Sequence, residues 1–526
     1  MISKKICEGR TYLGIELGST RIKACLIDET YNPIATGGFE WENQFEDGYW
    51  TYDLADVHRG LQVCFADLAE DVKKQYGAEL TTVGSIGISG MMHGYLAFDK
   101  DGNLLTPFRT WRNTTTKDAA EALSELFGFN IPQRWSVAHL YQAILNGEAH
   151  VSRVAHITTL AGYVHYLLTG RRELGIGEAA GMFPVKGNTY NAEMIETFDA
   201  LTAAKKMPWN ISDLLPNVKL AGETGAFLSA AGAKLLDPTG KLQSGIPICP
   251  PEGDGDTGMV ATNSVKPGTG NVSAGTSTFA VLILKELPKK VYPEIDIAAT
   301  PSGDPVAMVH CTNGCSELDV WVKIFGEFAA LTGNPMDRGQ LYESLYRYTE
   351  TADADCGGVV AYNYLSGEHV TDIKRGNPMY FRATDSNMNL ANFMRSQLYA
   401  TMATLKLGMN ILTENEDVII EKLQAHGGLF KVKGVAQQIL ANAVNAPVSV
   451  METAGEGGAW GMALLAAYMN EGKGLSLDAW LETKVFSTMN TITLTPKKEG
   501  VDGFEAYLKQ YRAGLAAERA LSELTD

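Results

Sequence analysis

The sequence predicts an α/β protein built as two related halves. Short apolar runs with strand spacing alternate with longer segments of helical spacing, the pattern of α/β layers. The 526 residues exceed what one hydrophobic core usually organises, so two or more domains are expected. A glycine–hydroxyl hairpin near the N-terminus is echoed just past the midpoint, as a duplicated unit would be.

The first hairpin lies in GIELGSTRIKACLID, residues 14–28. Runs 12–17 and 22–27 read as strands around a tight turn, Gly18-Ser19-Thr20. Each strand carries one charge, Glu16 in the first and Lys23 in the second, and a buried charge without a partner is costly. Further strands are predicted at 83–89 and 94–98, and helices at 54–76, 117–127 and 155–169. Glycine and proline crowd 245–258 and 266–270, which marks the crossing between predicted domains 1–262 and 263–526. NVSAGTSTFAVLI, residues 271–283, then repeats the opening layout around Gly275-Thr276-Ser277. A helix is predicted at 434–443, a glycine-to-helix layout recurs at 455–468, and the amphipathic tail beyond 500 reads as a packing helix.

Composition removes several classes of function. With 44 basic against 61 acidic residues, the formal charge of −17 offers no footprint for nucleic acid or an anionic membrane surface. No apolar run is long enough to span a bilayer. The N-terminus has no continuous apolar segment before Arg10 and Glu16, so no cleaved leader is predicted. The seven cysteines are scattered, and only Cys311 and Cys315 lie close together, without the partners a zinc site needs. They are predicted to be free thiols in a reducing cytoplasm.

The chemistry sits in the turns. A Gly-Ser-Thr turn can aim successive backbone N–H groups and two hydroxyls at one point, a nest for phosphate oxygens. Two such nests suit a polyphosphate, with Lys23 near the anion and Glu16 holding the Mg²⁺ that accompanies ATP, through water. The competing reading is an ordinary hairpin with solvent-facing Lys and Glu. There is no G-x-x-x-x-G-K-[ST] loop. GDGDTG, 253–258, matches G-x-G-x-x-G only formally, since its acids would repel a pyrophosphate. It does supply Asp254 and Asp256, either of which could accept the proton of an attacking hydroxyl, unless the segment is merely a solvated acidic loop. His93, in GISGMMHG, could donate and accept toward ligand hydroxyls, although a lone histidine is more often structural. Trp111, Arg112 and Asn113 offer an aromatic wall with hydrogen-bonding neighbours. Gly427-Gly428 could let a flat ring approach the backbone, or simply serve close packing.

Together these blocks, with VVAYNYLSGEHV and the 426–468 region, resemble the FGGY family of carbohydrate kinases, in family order and nearly full length, most closely its xylulokinase-like members. The resemblance implies two ribonuclease H/actin-like domains flanking a central cleft, with ATP and sugar between them. It implies Asp254, by ungapped spacing, as catalytic base. It implies Met92 and His93 as sugar contacts, joined by Trp111, Asn113 and Asp254. Gly18, Ser19, Thr20, Gly275, Thr276 and Ser277 match the phosphate loops, and Gly427-Gly428 the adenosine loop. Three positions depart from the pattern: Glu16 and Glu178 stand where Asp is usual, and Trp111-Arg112-Asn113-Thr114 replaces Trp-Asn-Asp.

The expectation is therefore a cytoplasmic, Mg²⁺- and ATP-dependent kinase acting on a terminal hydroxyl of a ketopentose, xylulose foremost, and pairing as a homodimer. Ribulose, another ketose or a polyol is the alternative acceptor. A filament-forming or chaperone ATPase of the actin fold is the remoter alternative, against which the Met92-His93 and Trp111 blocks argue.

Overall fold

The computed structural model describes residues 2–451 and 457–524, with backbone alone at Thr488. The chain forms two compact units: Met1–Val265 with Ile297–Val306 and Ala454–Met489, and Lys266–Asp296 with Ala307–Thr453 and Asn490–Asp526. The chain thus returns to the first unit twice after the midpoint. Glu456 and the residues back to 452, including the start of the predicted 455–468 layout, lie outside the described residues.

The first unit is built on a seven-stranded sheet. Across it run Ala226–Phe227, Pro247–Ile248, Ser85–Gly90, Thr11–Leu17, Arg21–Asp28 and Pro33–Glu40, while Glu252–Gly253 also pairs with Ser85–Gly90. Thr11–Leu17 and Arg21–Asp28 are the predicted hairpin, with Glu16 opposite Lys23. Thr11–Leu17 runs parallel to Ser85–Gly90, so that Leu17 meets Gly90, and Gly90 meets Gly253. Three parallel strands therefore end at one edge, the place where α/β sheets present their ligand sites.

Side chains alternate across a strand, so register sorts the two faces. Gly14 and Gly87 share one face and receive the helix Gly457–Glu471, because a Cβ on Gly14 would lie 2.1 Å from Ala459 O. Gly37 belongs to the other face and receives the helix Leu54–Tyr76, where a Cβ would lie 2.3 Å from Cys64 O. That helix buries Val57, Leu61, Phe65, Leu68 and Val72 at 3–4-residue spacing and stops at Gly77, whose φ of 63° suits a residue without a Cβ.

The second unit repeats the plan. Thr269–Ala274 pairs antiparallel with Thr278–Ile283 and parallel with Lys422–His426, with Ser273 opposite His426. Pro305–Cys311, Val448–Met451 and Thr491–Leu494 extend this sheet. The helices Leu390–Asn415 and Val435–Val444 cover it, and Lys498–Leu524, the predicted packing tail, lies on those two helices and on the strand Val359–Tyr362.

Two local expectations change. The segment 155–169 is not one helix: His156–Thr158 pairs with Leu96–Phe98, and the helix begins at Leu160 after Thr159, whose hydroxyl accepts the Gly162 N–H. Segment 253–258 is not an acidic loop. Asp254 opens the helix Asp254–Ala261, whose N-terminal dipole favours acids in the first turn. None of the seven cysteines forms a disulfide, and among the described residues no helix is long and apolar enough to cross a membrane.

Candidate active site

In the first unit, the shared strand edge brings together the Gly18–Thr20 turn, Met92-His93 and Asp254. Asp254 Oδ1 accepts from Met92 N at 3.2 Å and from Gly255 N at 2.9 Å. Burial raises its carboxyl above the usual range while these two N–H groups pull it back. Asp254 keeps part of its surface exposed, whereas Asp256 is 1% exposed and directed inward, its Oδ2 accepting the Gly253 N–H at 3.1 Å. Of the two acids that the sequence left open, only Asp254 is open to a ligand.

Behind Asp254 lies a buried acid cluster that the sequence did not disclose. Glu178 and Glu252 are 0% and 1% exposed, and Glu252 Oε2 accepts the Glu178 N–H at 2.9 Å. Each carboxyl is fitted against a glycine. A Cβ on Gly175 would stand 2.1 Å from the Glu252 carboxyl, one on Gly177 2.5 Å from that of Asp256, and one on Gly253 2.6 Å from Glu178 Oε2. Burial, then the Gly253 N–H and the neighbouring Asp254 charge, set Asp256 at about 8, and burial lifts Glu178 and Glu252 well above the carboxylate range. The available signal was the run of small residues around 175–181 beside the acids of 252–256.

Glu16 explains the charges in the hairpin. Its carboxylate accepts from the Ala459 N–H in the first turn of Gly457–Glu471 and is opposed in register by Lys23. Burial first, and the Asp254 charge second, nevertheless hold it near 7. A cation beside Glu16 and Asp254 would relieve that unfavourable pairing, so the donor chemistry fits a hard divalent ion. Among the described residues no group of three or more His, Cys, Asp or Glu side chains is arranged to hold a metal ion. An ion here would rely on one or two carboxylates, with water and phosphate oxygens for the rest, as Mg²⁺ accepts.

His93 has φ 67°, and its Nδ1 lies 3.2 Å from Gly181 O. Burial, reinforced by the Arg134 charge, pushes its imidazole down to about 3, so it is neutral at working pH. Trp111 is 42% exposed, with Arg112 stacked over Trp50 at 4.3 Å. Asn113 is used differently from the expectation. It is 2% exposed, its Oδ1 accepts from Trp50 N at 2.8 Å, and its Nδ2 donates to Trp50 O at 2.8 Å. Its amide is consumed by the backbone, and no hydrogen bond among the described residues links Trp111 or Asn113 to Met92, His93 or Asp254.

The two turns share one construction. Around Gly18–Thr20, Gly18 O accepts from Trp41 Nε1 at 2.7 Å, Ser19 O from the Tyr52 hydroxyl at 2.6 Å and Thr20 O from Trp41 N at 3.2 Å. In the second unit Gly275 O accepts from Cys315 N and Thr276 O from Gly314 N, both at 2.8 Å. The carbonyls named are thus drawn away, and the Gly18 and Gly275 N–H groups close the turns onto Arg21 O at 3.0 Å and Ser277 O at 2.9 Å, which leaves the N–H groups and hydroxyls of Ser19, Thr20, Thr276 and Ser277 as what the turns offer a ligand. Gly314 is the residue missed here: a Cβ on it would lie 2.4 Å from Gly275 O. Gly427, with φ 107°, lies against Ala274 O, where a Cβ would approach to 2.3 Å, while Gly428 has open space. The second turn and the Gly427-Gly428 pair therefore share one edge of the second sheet.

The family models for the N-terminal and C-terminal domains of the FGGY family of carbohydrate kinases match residues 11–260 and 270–470. The chain belongs to the FGGY family of carbohydrate kinases. A xylulose kinase from Haemophilus influenzae is 20% identical over 524 residues, covering 94% of this chain and 98% of its own. The crystal structure of xylulose kinase from Rhodospirillum rubrum superposes with a TM-score of 0.80 at 17% identity, over 98% of this kinase and 100% of that chain. Glycerol kinase from Plasmodium falciparum, solved with ADP, gives 0.75 at 15% identity over 96% and 98%. At these identities the likeness fixes the fold of the kinase, two sheet-based domains of the actin type, and leaves its acceptor to the site.

Proposed function

We propose that the kinase transfers the γ-phosphoryl group of ATP to a terminal hydroxyl of a ketopentose, xylulose foremost, with Asp254 as the base. The supporting observation is the contrast between the two acids: Asp254 is gripped by two N–H groups yet open, and Asp256 is closed off. Asp254 accepts the hydroxyl proton as the oxygen attacks phosphorus. His93 accepts a sugar hydroxyl and Met92 fixes the base through its backbone, while Trp111 offers a wall for the sugar. The turns Gly18-Ser19-Thr20 and Gly275-Thr276-Ser277 hold phosphate oxygens through N–H groups, assisted by Lys23, and Gly427-Gly428 admits the adenine. Glu16 is the carboxylate that would hold Mg²⁺, whose charge neutralises the transferring phosphoryl group. Phosphoryl transfer needs little beyond this positioning and charge stabilisation.

A polyol acceptor is the second reading, because the Asn113 amide is committed to Trp50 and cannot bind a further sugar hydroxyl. ATP consumption measured across ketopentoses, ketohexoses, aldonates and polyols decides. The highest kcat/KM on xylulose supports the first reading, and the highest on a polyol supports the second. No stimulation by any of them defeats both.

A further inference from the structure

We propose that Gly458 sets the reach of Glu16, so that the length of this carboxylate and the missing side chain at 458 are one coupled device. The inference rests on the reading of Glu16 as the cation-facing carboxylate. Gly458 is the second residue of the helix Gly457–Glu471, and no positive φ requires glycine there. What its absent side chain leaves room for is specific. A Cβ at 458 would stand 2.5 Å from Glu16 Oε1, 2.8 Å from its Cδ and 2.8 Å from Thr257 Oγ1.

The helix cannot retreat to make that room. It is wedged against its neighbours by contacts at backbone distance: a Cβ on Gly14 would lie 2.1 Å from Ala459 O and 2.4 Å from Ala463 N, and one on Gly461 2.1 Å from Thr257 O. Thr257 is itself fully buried and tied to Ser89 Oγ at 3.2 Å. The Glu16 carboxylate, at the end of a flexible chain, is the group that yields. A methyl at 458 therefore displaces the carboxylate instead of breaking the fold, and a displacement on the order of 1 Å costs about a hundredfold in rate. Shortening Glu16 by one methylene removes its share of the collision and leaves only the 2.8 Å approach to Thr257 Oγ1, which is common to both backgrounds. Position 458 is thus a positioning residue, acting on the cation-facing carboxylate through Glu16.

The test is a cycle of four full-length proteins: the parent, Gly458→Ala, Glu16→Asp and the double variant. Turnover against Mg²⁺ concentration and the thermal midpoint of the nucleotide-free protein are measured for each. Each single variant is expected to lose tenfold or more in kcat/KM with a raised KM for Mg²⁺. The double variant is expected to exceed the product of the single effects by at least tenfold. Gly458→Ala is expected to lower the midpoint less in the Glu16→Asp background than beside Glu16, since the approach to Thr257 is common to both and the collision with the Glu16 carboxylate is not. A double variant that merely equals the product, together with equal midpoint changes in both backgrounds, overturns the proposal. Glu16→Gln separates this outcome from a failure of the underlying reading. If that variant keeps full turnover and Mg²⁺ dependence, Glu16 has no part in transfer, and the steric coupling still stands or falls on the midpoints.

Discussion

His93 Nδ1 sits 3.2 Å from the carbonyl oxygen of Gly181, and a carbonyl can only accept. The ring proton is therefore on Nδ1, and because burial keeps the imidazole neutral, Nε2 presents a lone pair. That fixes the direction of any bond to a sugar: the ligand hydroxyl donates. His93→Gln is expected to raise the KM for the sugar tenfold or more with a smaller change in kcat, and to leave the KM for ATP within about twofold. Gly181→Ala is expected to act in the same direction, because its Cβ would stand 2.6 Å from Nδ1. Steady-state kinetics with each substrate varied in turn checks both, and an unchanged sugar KM in His93→Gln removes the histidine from the sugar site.

The contrast between Asp254 and Asp256 yields a paired prediction. Asp254→Asn keeps a hydrogen-bonding side chain of the same shape but loses the proton acceptor, so turnover is expected to fall by about 10³-fold or more with binding of ATP and sugar retained. Asp256→Asn removes a buried acid that caps Gly253 N–H, and most of the turnover is expected to survive. Single-turnover assays beside ligand-binding titrations distinguish loss of chemistry from loss of binding. Inactivity confined to Asp256→Asn reverses the assignment.

Asn113 tests how far the sequence can be trusted for a sugar pocket. Truncation to Ala leaves the Trp50 N–H without its acceptor, while Trp50 O keeps the Thr110 N–H at 3.2 Å, a loss of about 1 kcal/mol of stability. The expected signature is a lowered thermal midpoint with a sugar KM within about threefold of the parent. A large rise in KM without loss of stability would return Asn113 to the sugar site.

Much of the fold was legible because its signals are local. The hairpin at 14–28, the helix at 54–76 and the tail helix each announce themselves by period and turn chemistry, and the structure has them at Thr11–Leu17, Arg21–Asp28, Leu54–Tyr76 and Lys498–Leu524. Thr158 and Ile157 were read into a helix because the strand they form is specified by Leu96–Phe98, some sixty residues away. The site divides in the same manner. Gly18–Thr20 and Gly275–Ser277 are visible as motifs, whereas the acid cluster is not. Glu178 and Glu252 meet through the Glu178 N–H, in space that Gly175 leaves for the Glu252 carboxyl, a contact that spacing along the chain does not encode. Gly458 beside Glu16 is the extreme case, since over four hundred residues separate a missing side chain from the carboxylate that fills its space.

That buried cluster gives the kinase a pH-dependent stability whose sign follows from the shifts. Asp256, at about 8, and Glu178 and Glu252, both raised by burial, ionise less readily in the folded chain than in the unfolded one. The unfolded carboxyls release their protons near pH 4, so from there upward the unfolded state is favoured progressively until the folded groups ionise as well. The stability they contribute is complete below about pH 4; the share of Asp256 is lost as pH rises to about 8, and that of Glu178 and Glu252, also raised, is lost in the same direction. The thermal midpoint is accordingly expected to fall between pH 5 and pH 9, and Asp256→Asn, which carries no proton to lose, is expected to flatten that decline. Scanning calorimetry across this range on both proteins reads the slope directly. Parallel slopes in parent and variant would mean that Asp256 is already ionised at neutral pH and that the three carboxyls do not share protons behind the base.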